Sequence, residues 1–201
     1  MTRSSLPGII LAAGRSRRMG ENKLLLHWQG KPILQHVVDA AARSSLTPLL
    51  LVVDPKNQLP MDQIAPGPCR LIHSRGTVYS DSLRAGLRAL DPGYAGAMFL
   101  LGDQPLVRTE TLERLITAFR AEPGRWVAPS WQGRRGNPVI APASWFARIL
   151  ALKGDTGPRQ YLGDPKAHLK LVAVEDEGVI FDIDSPADYE RLQKIRHTAT
   201  T

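Results

Sequence analysis

Residues 9–23 read IILAAGRSRRMGENK, and this stretch decides the fold and points to the chemistry. An apolar run ends at two alanines and Gly14, and three arginines and a lysine follow within ten residues. Glycine permits a sharp turn, and the N–H groups of such a turn can face anionic oxygens. Arginine adds bidentate contacts to phosphate, and lysine adds a compact charge. The stretch therefore predicts a buried strand that ends in an anion-binding turn.

The spacing within this turn excludes two common nucleotide-binding loops. Lys23 follows Asn22 rather than a glycine, so the turn is not the G-x-x-x-x-G-K-S/T loop of ATPases. The glycines also do not follow the G-x-G-x-x-G pattern of dinucleotide-binding proteins. A phosphate-binding turn of another kind is expected here.

Composition restricts the class of protein and of ligand. The chain has 201 residues, of which 43% are hydrophobic, and one cysteine, Cys69. This length suits one core-forming domain, and the apolar runs are shorter than the ~20 residues of a membrane-spanning helix. The net charge of +7 suits a polyanion, but aromatic residues are only 6% and do not interleave with the basic ones. Arginines cluster at residues 15–18 and 134–135, both beside glycines, as in a small pocket. We therefore expect a phosphorylated small molecule as partner, with no nucleic acid and no membrane. The lone cysteine fits a reducing, cytoplasmic location.

Apolar patterning predicts alternating strands and helices over the first 120 residues. Continuous apolar runs, typical of strands buried on both faces, cover residues 6–14, 47–54, 69–74 and 96–103. Helical patterns cover residues 31–45, 80–90 and 109–119, with Ser80 or Asp81 and then Thr109 as expected caps. This alternation predicts an α/β fold with a three-layer, doubly wound, mostly parallel, Rossmann-like sheet. Ligands of such sheets bind beyond the carboxyl ends of the strands, so the turn after residue 12 and the GDQP turn at 102–105 are expected to share one site.

The pattern changes after residue 123. Strands are expected at residues 125–131, 137–141 and 168–184, the last range with a turn near Glu177–Gly178, and helices at 142–155 and 185–195. Ser185 is the expected cap of the last helix, and Pro186 suits its first turn. Asp182 and Asp184 lie two positions apart on a predicted strand, so their side chains are expected on the same side of the sheet.

Several segments, taken in order, resemble those of a known family. The string L-A-A-G-x-S-x-R-M-G-x-x-K at residues 11–23 resembles the signature of the MobA-like nucleotidyltransferases, and is most similar to that of the molybdenum cofactor cytidylyltransferases. The segments VYSDSLRAGL, LLGDQPLV, RRGNPVI, KGDTGPRQYL and FDIDSPADY each resemble a further family segment, and together the matches span residues 9–189. The resemblance implies a sheet of the nucleotide-diphospho-sugar transferase type. It also implies one domain at 1–201, with an NTP-binding half at 1–120 and an acceptor-binding half at 121–201.

The resemblance implies a reaction between two anions. The phosphate of an acceptor attacks the α-phosphorus of a nucleoside triphosphate and pyrophosphate leaves, while cations stabilise the developing charge. By the family pattern, Arg18 contacts the β- and γ-phosphates, and Lys23 reaches the α-phosphate and the leaving group. Asp103 is the expected ligand of Mg²⁺, which prefers oxygen atoms. We favour Asp182 as the second carboxylate ligand, with Asp184 as the alternative, because Asp184 could instead favour the start of the next helix.

Further binding residues follow from the same resemblance. The nucleotide side comprises Leu11, Ala12, Ala13, Gly14, Arg15 and Ser82. The acceptor side comprises Asn137, Asp155 and Arg159, of which Arg159 is the expected partner of the acceptor's phosphate. For Asn137, a purely structural role in its own turn is the alternative.

The identity of the base and of the acceptor is also implied by the resemblance. Guanylyl-transferring members tend to read L-A-G-G and cytidylyl-transferring members L-A-A-G, so Ala12–Ala13–Gly14 favours CTP. The implied acceptor is molybdopterin carrying molybdenum, and the implied recipient of the product is a molybdenum hydroxylase apoprotein. The alternatives are a guanylyltransferase, a sugar- or polyol-phosphate nucleotidyltransferase of the same fold, and a molybdenum cofactor chaperone that performs no chemistry.

Overall fold

A computed structural model describes residues 4–14, 22–55, 64–76 and 78–195 of the chain. The strands within these ranges are β1 (Leu6–Ala12), β2 (His27–Trp28), β3 (Lys31–Pro32), β4 (Leu46–Val53), β5 (Cys69–His73), β6 (Gly96–Leu101), β7 (Val127–Trp131), β8 (Arg134–Arg135), β9 (Val139–Pro142) and β10 (Lys170–Ala173). The α-helices are α1 (Ile33–Ala42), α2 (Tyr79–Arg88), α3 (Thr109–Ala121), α4 (Phe146–Leu150) and α5 (Pro186–Lys194). Short 3₁₀ turns at residues 23–25, 143–145, 158–161, 165–167 and 177–180 complete the regular structure.

A mostly parallel sheet forms the centre of the molecule. Its strands run in the order β10-β7-β9-β6-β1-β4-β5, and β8 pairs with β7 beside this path. β1 is parallel to both β4 and β6, β4 is parallel to β5, and β7 is parallel to β10. β9 is antiparallel to β6 and β7, and β8 is antiparallel to β7. The expected α/β fold is therefore confirmed, and β1 lies near the middle of the sheet with its carboxyl end beside that of β6.

The central strands are apolar throughout because helices cover both faces of the sheet. Along β1, Ile10 packs into the hydrophobic cluster on one face, and Ile9 and Leu11 pack into the cluster on the other. β6 alternates in the same way, with Met98 on the first face and Phe99 on the second. Side chains of successive strand residues point to opposite faces, so a strand buried on both sides cannot show polar alternation.

Of the strands expected at residues 168–184, the first forms as β10 and the expected turn near Glu177–Gly178 forms at 177–180, but the second strand is wrong. Only β10 forms a ladder, and the segment that carries Asp182 and Asp184 is extended without pairing to a strand. Phe181 and Ile183 are buried in a third cluster beneath α5, so the two aspartates still lie on the opposite side of the chain from them. Apolar and polar residues do alternate in this segment, but the alternation results from packing against α5 rather than from pairing in the sheet.

Two expected helix caps are also wrong. α2 begins one residue earlier than predicted, and the Asp81 carboxylate accepts a hydrogen bond from the backbone N–H of Val78 at 3.3 Å from within the first turn. Thr109 is the first residue of α3 and donates its hydroxyl to the Ala40 carbonyl instead of capping its own helix. The Ser185 cap of α5 is confirmed, because its hydroxyl accepts from the N–H of Asp188.

Among the described residues, no helix combines the length and the apolar composition needed to cross a bilayer.

We expect Gly96→Ala to destabilise the protein by about 1–3 kcal/mol through overpacking. A methyl group at position 96 would lie 2.4 Å from Cζ of Phe119 and 2.6 Å from the carbonyl oxygen of Ala141. Urea denaturation of the variant and the native protein measures the loss. Gly124→Ala is the matched control, because nothing lies within 4 Å of its Cβ position. Equal stability of Gly96→Ala and the native protein would contradict the packing described for β6.

Candidate functional site

A cavity of about 290 Å³ opens where the carboxyl ends of β1 and β6 meet the start of α2. We call it the first cavity, and it is lined by Leu11, Ala13, Gly14, Lys23, Val78, Tyr79, Ser82, Leu101, Asp103 and Asp155. Its position agrees with the rule that open parallel sheets bind ligands beyond the carboxyl ends of their strands. The sequence prediction that the turn after β1 and the GDQP turn share one site is borne out by this geometry.

The centre of the site is an ammonium group held by two carboxylates. Lys23 Nζ lies 2.7 Å from Asp103 Oδ2 and 2.7 Å from Asp184 Oδ1. The Lys23 and Asp103 side chains are only 15% and 19% exposed, whereas Asp184 is 52% exposed. These three residues come from the turn after β1, the turn after β6 and the segment before α5, so the contact joins distant parts of the chain.

The charge state of Lys23 is secured by this arrangement. Burial alone would lower the pKa of the Lys23 ammonium, but the carboxylates of Asp103 and Asp184 outweigh burial and raise the pKa above its usual 10.5. Charge-assisted contacts of this length are the stronger class of protein hydrogen bonds. Lys23 therefore stays positively charged over the physiological range.

The backbone fixes Asp103 at the mouth of the cavity. The N–H of Gly102 donates to the Leu11 carbonyl at 3.0 Å, and the N–H of Ile183 donates to the Asp103 carbonyl at 3.1 Å. Asp103 Oδ1 is buried and has no hydrogen-bond partner among the described residues. A buried carboxylate oxygen without a donor is costly unless a ligand satisfies it.

Asp182 is the third carboxylate of the site. Burial and the negative charges of Asp103 and Asp184 raise its pKa above the usual 3.8. The negative charges of the three carboxylates act on one another, and one oxygen of Asp103 is buried without a partner. A divalent cation would both neutralise the charge and supply the missing partner. In the described part of the chain, no group of three His, Cys, Asp or Glu side chains already has a metal-binding arrangement. The Lys23 ammonium instead lies between Asp103 and Asp184.

The start of α2 is anchored to the loop that carries Asp155. The N–H of Tyr79 donates to Asp155 Oδ1 at 3.1 Å, and the N–H of Ser80 donates to the Gly154 carbonyl at 3.3 Å. Gly157 lies against the Tyr79 ring, since a Cβ there would be 2.2 Å from Tyr79 Cε1. Burial and the Asp103 carboxylate raise the pKa of the Tyr79 hydroxyl, and the Arg159 guanidinium opposes them. The charges of Asp103 and Arg159 therefore both act on the Tyr79 hydroxyl.

A second cavity has a volume of about 310 Å³. It is lined by Arg134, Arg135, Gly136, Arg159, Ile180 and Asp182. The expected acceptor residue Arg159 thus lines a different cavity from the expected nucleotide residues. Asn137, the next residue after Gly136, is 6% exposed, and its Nδ2 has no partner among the described residues.

The other expected site residues are distributed unevenly. Leu11, Ala13, Gly14, Ser82 and Asp155 line the first cavity. Ala12 packs into the hydrophobic core and does not line either cavity. Arg15 and Arg18 lie outside the described residues, so their expected contacts with phosphate stay predictions.

The sequence analysis missed residues of the first cavity. Val78 and Tyr79 line it together with Leu101. A signal existed for the first pair, because both residues belong to the VYSDSLRAGL segment. Arg134 and Arg135, whose cluster beside Gly136 indicates a small pocket, line the second cavity, although the sequence analysis gave them no ligand.

Comparison with known proteins gives consistent results. A family model described as the MobA-like NTP transferase domain matches residues 8–171. The chain is 31% identical to the purine catabolism protein PucB of Bacillus subtilis (strain 168), over 94% of this chain and 96% of PucB. It is 26% identical to the 2-C-methyl-D-erythritol 4-phosphate cytidylyltransferase of Streptomyces coelicolor, over 96% of this chain and 67% of that protein.

A solved structure extends the comparison to three dimensions. The crystal structure of Rv0371c from Mycobacterium tuberculosis H37Rv is similar with a TM-score of 0.86 and 28% identity, and covers 96% of this chain and 100% of that chain. The complex of Rv0371c with manganese gives a TM-score of 0.81 at 26% identity, with the same coverage.

We expect Asp182→Asn to raise the melting temperature at pH 7 in buffer containing EDTA. A carboxyl group whose folded pKa is raised destabilises the folded state when it is ionised, and asparagine removes that charge. As the pH falls through the usual pKa of 3.8, Asp182 becomes protonated in the unfolded state as well, so the difference from the native protein should shrink toward zero.

Asp188→Asn is a control of opposite sign. The hydrogen bond from the Ser185 hydroxyl, opposed in part by burial, lowers the pKa of Asp188. Its ionised form therefore stabilises the folded state above pH 3.8, and this contribution is lost as the pH falls. Thermal melts of both variants and the native protein between pH 3.5 and 7.5 test the pair. A lower melting temperature for Asp182→Asn at pH 7 would contradict the description of the three carboxylates.

Proposed function

The chain belongs to the MobA-like NTP transferase family, and on this premise we propose that it transfers CMP from CTP to the phosphate of molybdenum-bearing molybdopterin. The products are the cytosine dinucleotide form of the cofactor and pyrophosphate. The observation that carries the proposal is the Lys23 ammonium, placed between two carboxylates on the wall of the first cavity. Nucleotidyl transfer brings two anions together, and a permanent cation beside carboxylates that can hold a metal ion meets that need.

The Lys23 ammonium can leave the carboxylate oxygens of Asp103 and Asp184 and contact phosphate oxygens instead. Its ammonium neutralises Asp103 and Asp184 in the ligand-free protein and lies on the cavity wall, within reach of a triphosphate bound there. The same donor can stabilise the charge that grows on the α-phosphate and on the departing pyrophosphate. Nearly all the catalysis in such a transfer comes from positioning and charge stabilisation.

Magnesium is the proposed metal ion. Asp103, together with Asp182 or Asp184, would hold it, and the ion would supply neutralising charge to the phosphates when bound. The buried Asp103 Oδ1 and the mutual repulsion of the three carboxylates support this assignment. The manganese complex of Rv0371c shows that a divalent ion binds that similar protein.

Cytosine is the proposed base because of the side chain at position 13. Ala13 is 7% exposed and lines the first cavity, where its methyl group takes space that a purine would need. The Streptomyces relative is a cytidylyltransferase, which supports the same choice. Molybdopterin as acceptor and a molybdenum hydroxylase apoprotein as recipient rest on the sequence resemblance. The division into an NTP-binding half and an acceptor-binding half likewise stays a proposal.

A polyol phosphate is the second candidate acceptor, since the name of the Streptomyces relative specifies such a substrate.

Pyrophosphate release separates the candidates. The protein and Mg²⁺ are incubated with CTP, GTP, ATP or UTP, each with molybdenum cofactor, with a polyol phosphate, or alone. We expect release only with CTP and molybdenum cofactor, and we expect Asp103→Asn to lower kcat about 10²–10³-fold. Pyrophosphate release with the polyol phosphate but not with molybdenum cofactor, or no release with any combination, would refute the proposal.

We expect Ala13→Gly to shift the base preference toward the purine. Removal of one methyl group widens the first cavity beside the base, and a methyl group in a binding pocket changes discrimination by about 10-fold or more. The ratio of kcat/KM for GTP to that for CTP measures the shift. Ala12→Gly is the control, because Ala12 packs into the core and should change stability without changing this ratio. An unchanged ratio in Ala13→Gly would refute the steric account.

A further inference from the structure

The first turn of α2 begins without a polar side chain at the position that normally caps a helix. Val78 precedes the helix, and its side chain has no oxygen atom that could accept a hydrogen bond. The first N–H groups of a helix have no partner within the helix, so an uncapped start is less stable. This turn matters for the first cavity, because Val78, Tyr79 and Ser82 form part of its wall. Acceptors from another part of the chain are therefore needed to hold the turn.

The segment of residues 152–157 supplies these acceptors. Asp155 Oδ1 accepts from the N–H of Tyr79 at 3.1 Å, and the Gly154 carbonyl accepts from the N–H of Ser80 at 3.3 Å. The segment thus satisfies the first two N–H groups of α2 from a distance of more than 70 residues in sequence. Its Asp155 side chain takes the place of the missing cap, and a carboxylate is favourable there because the start of a helix is electropositive.

Further contacts hold the same segment against α2. The Arg84 guanidinium, one turn along the helix, donates to the Leu152 carbonyl. Gly157 lies so close to the Tyr79 ring that a Cβ there would be 2.2 Å from Cε1. Gly154 has a φ of +68°, a conformation that glycine adopts without strain. The segment therefore follows the first half of α2 closely, and its two glycines allow the approach.

The charge of Asp155 does not suit a contact with the nucleotide. Its carboxylate lines the first cavity, where the proposed triphosphate would bind, and two negative charges repel each other. The oxygen that could accept from a ligand already accepts from the N–H of Tyr79. The geometry therefore gives the side chain a partner in the protein, on the wall of the cavity rather than inside it.

We propose that Asp155 is a positioning residue, which holds the first turn of α2 where Val78, Tyr79 and Ser82 form the wall of the first cavity. The inference rests on the proposed function, and it departs from the acceptor-side role that the sequence resemblance implies for Asp155. In this role the hydrogen-bond acceptor matters and the negative charge does not. Asparagine should therefore replace Asp155, because asparagine and aspartate cap helices about equally well.

The test measures the stability of the α2 start and the binding of nucleotide separately. Hydrogen exchange followed by mass spectrometry reports on residues 78–88, and titration calorimetry reports the affinity for CTP with Mg²⁺. We expect Asp155→Ala to speed exchange in the first turn of α2 about fivefold and to weaken CTP binding by a similar factor. Asp155→Asn should restore slow exchange. It should also bind CTP at least as tightly as the native protein does, because it removes a like charge from the cavity.

Asp164→Ala is the matched control. Asp164 also accepts from a backbone N–H, that of Lys166 at 2.8 Å, but it lines neither cavity. This variant should change neither the exchange of α2 nor the affinity for CTP, and a loss equal to that of Asp155→Ala would contradict the proposal.

Three further outcomes would overturn it. These are unchanged exchange in Asp155→Ala, unchanged CTP affinity in Asp155→Ala, and CTP binding by Asp155→Asn as weak as by Asp155→Ala. The last result would assign the role to the charge, as for a metal ligand. If the native protein binds no nucleoside triphosphate, the proposed function fails, while the exchange of α2 still decides whether Asp155 holds the helix.

Discussion

The contact between Lys23 and the two carboxylates is the constraint on which the site depends. Asp103 and Asp184 lie 80 and 161 positions from Lys23 in sequence, and each places a carboxylate oxygen 2.7 Å from its ammonium. Asp103 lies there because β1 and β6 are adjacent and end at the same edge, and Asp184 because the unpaired segment before α5 crosses that edge. A buried ammonium without a partner would lose its charge, and buried carboxylates without a cation would gain protons. The two carboxylates therefore keep the Lys23 ammonium charged, and the result is a charged centre at the edge of an otherwise apolar sheet.

Each of the two cavities is lined by one of these carboxylates, Asp103 in the first and Asp182 in the second. One is built from the ends of β1 and β6 and the start of α2, and the other from β8 and the segments around Arg159 and Asp182. The carboxylates repel one another in the ligand-free protein, which lowers stability but leaves an oxygen of Asp103 available to a metal ion. Active sites commonly contain such unfavourable groups, because function rather than stability selects them.

Local pattern predicted the fold well, and predicted the site in part. The apolar runs of β1 and β6 are continuous because both faces are buried, so they identified a parallel sheet and placed Lys23 and Asp103 at one edge. The strand expected around Asp182 was wrong, because burial of Phe181 and Ile183 under α5 produces the same alternation as a sheet. The arginine cluster at 134–135 indicated a pocket, but its shape could not be predicted, since its walls depend on how Gly136 packs against Val179 and Gly157 against Tyr79.

The most direct test of the central claim is a crystal structure of the protein with CTP and Mn²⁺, with the metal located by its anomalous scattering. The account predicts one anomalous peak, from an ion bound by Asp103 and by either Asp182 or Asp184. It also predicts that the Lys23 ammonium contacts a phosphate oxygen. A metal ion bound elsewhere, or a triphosphate out of reach of a Lys23 that still pairs with both carboxylates, would contradict it.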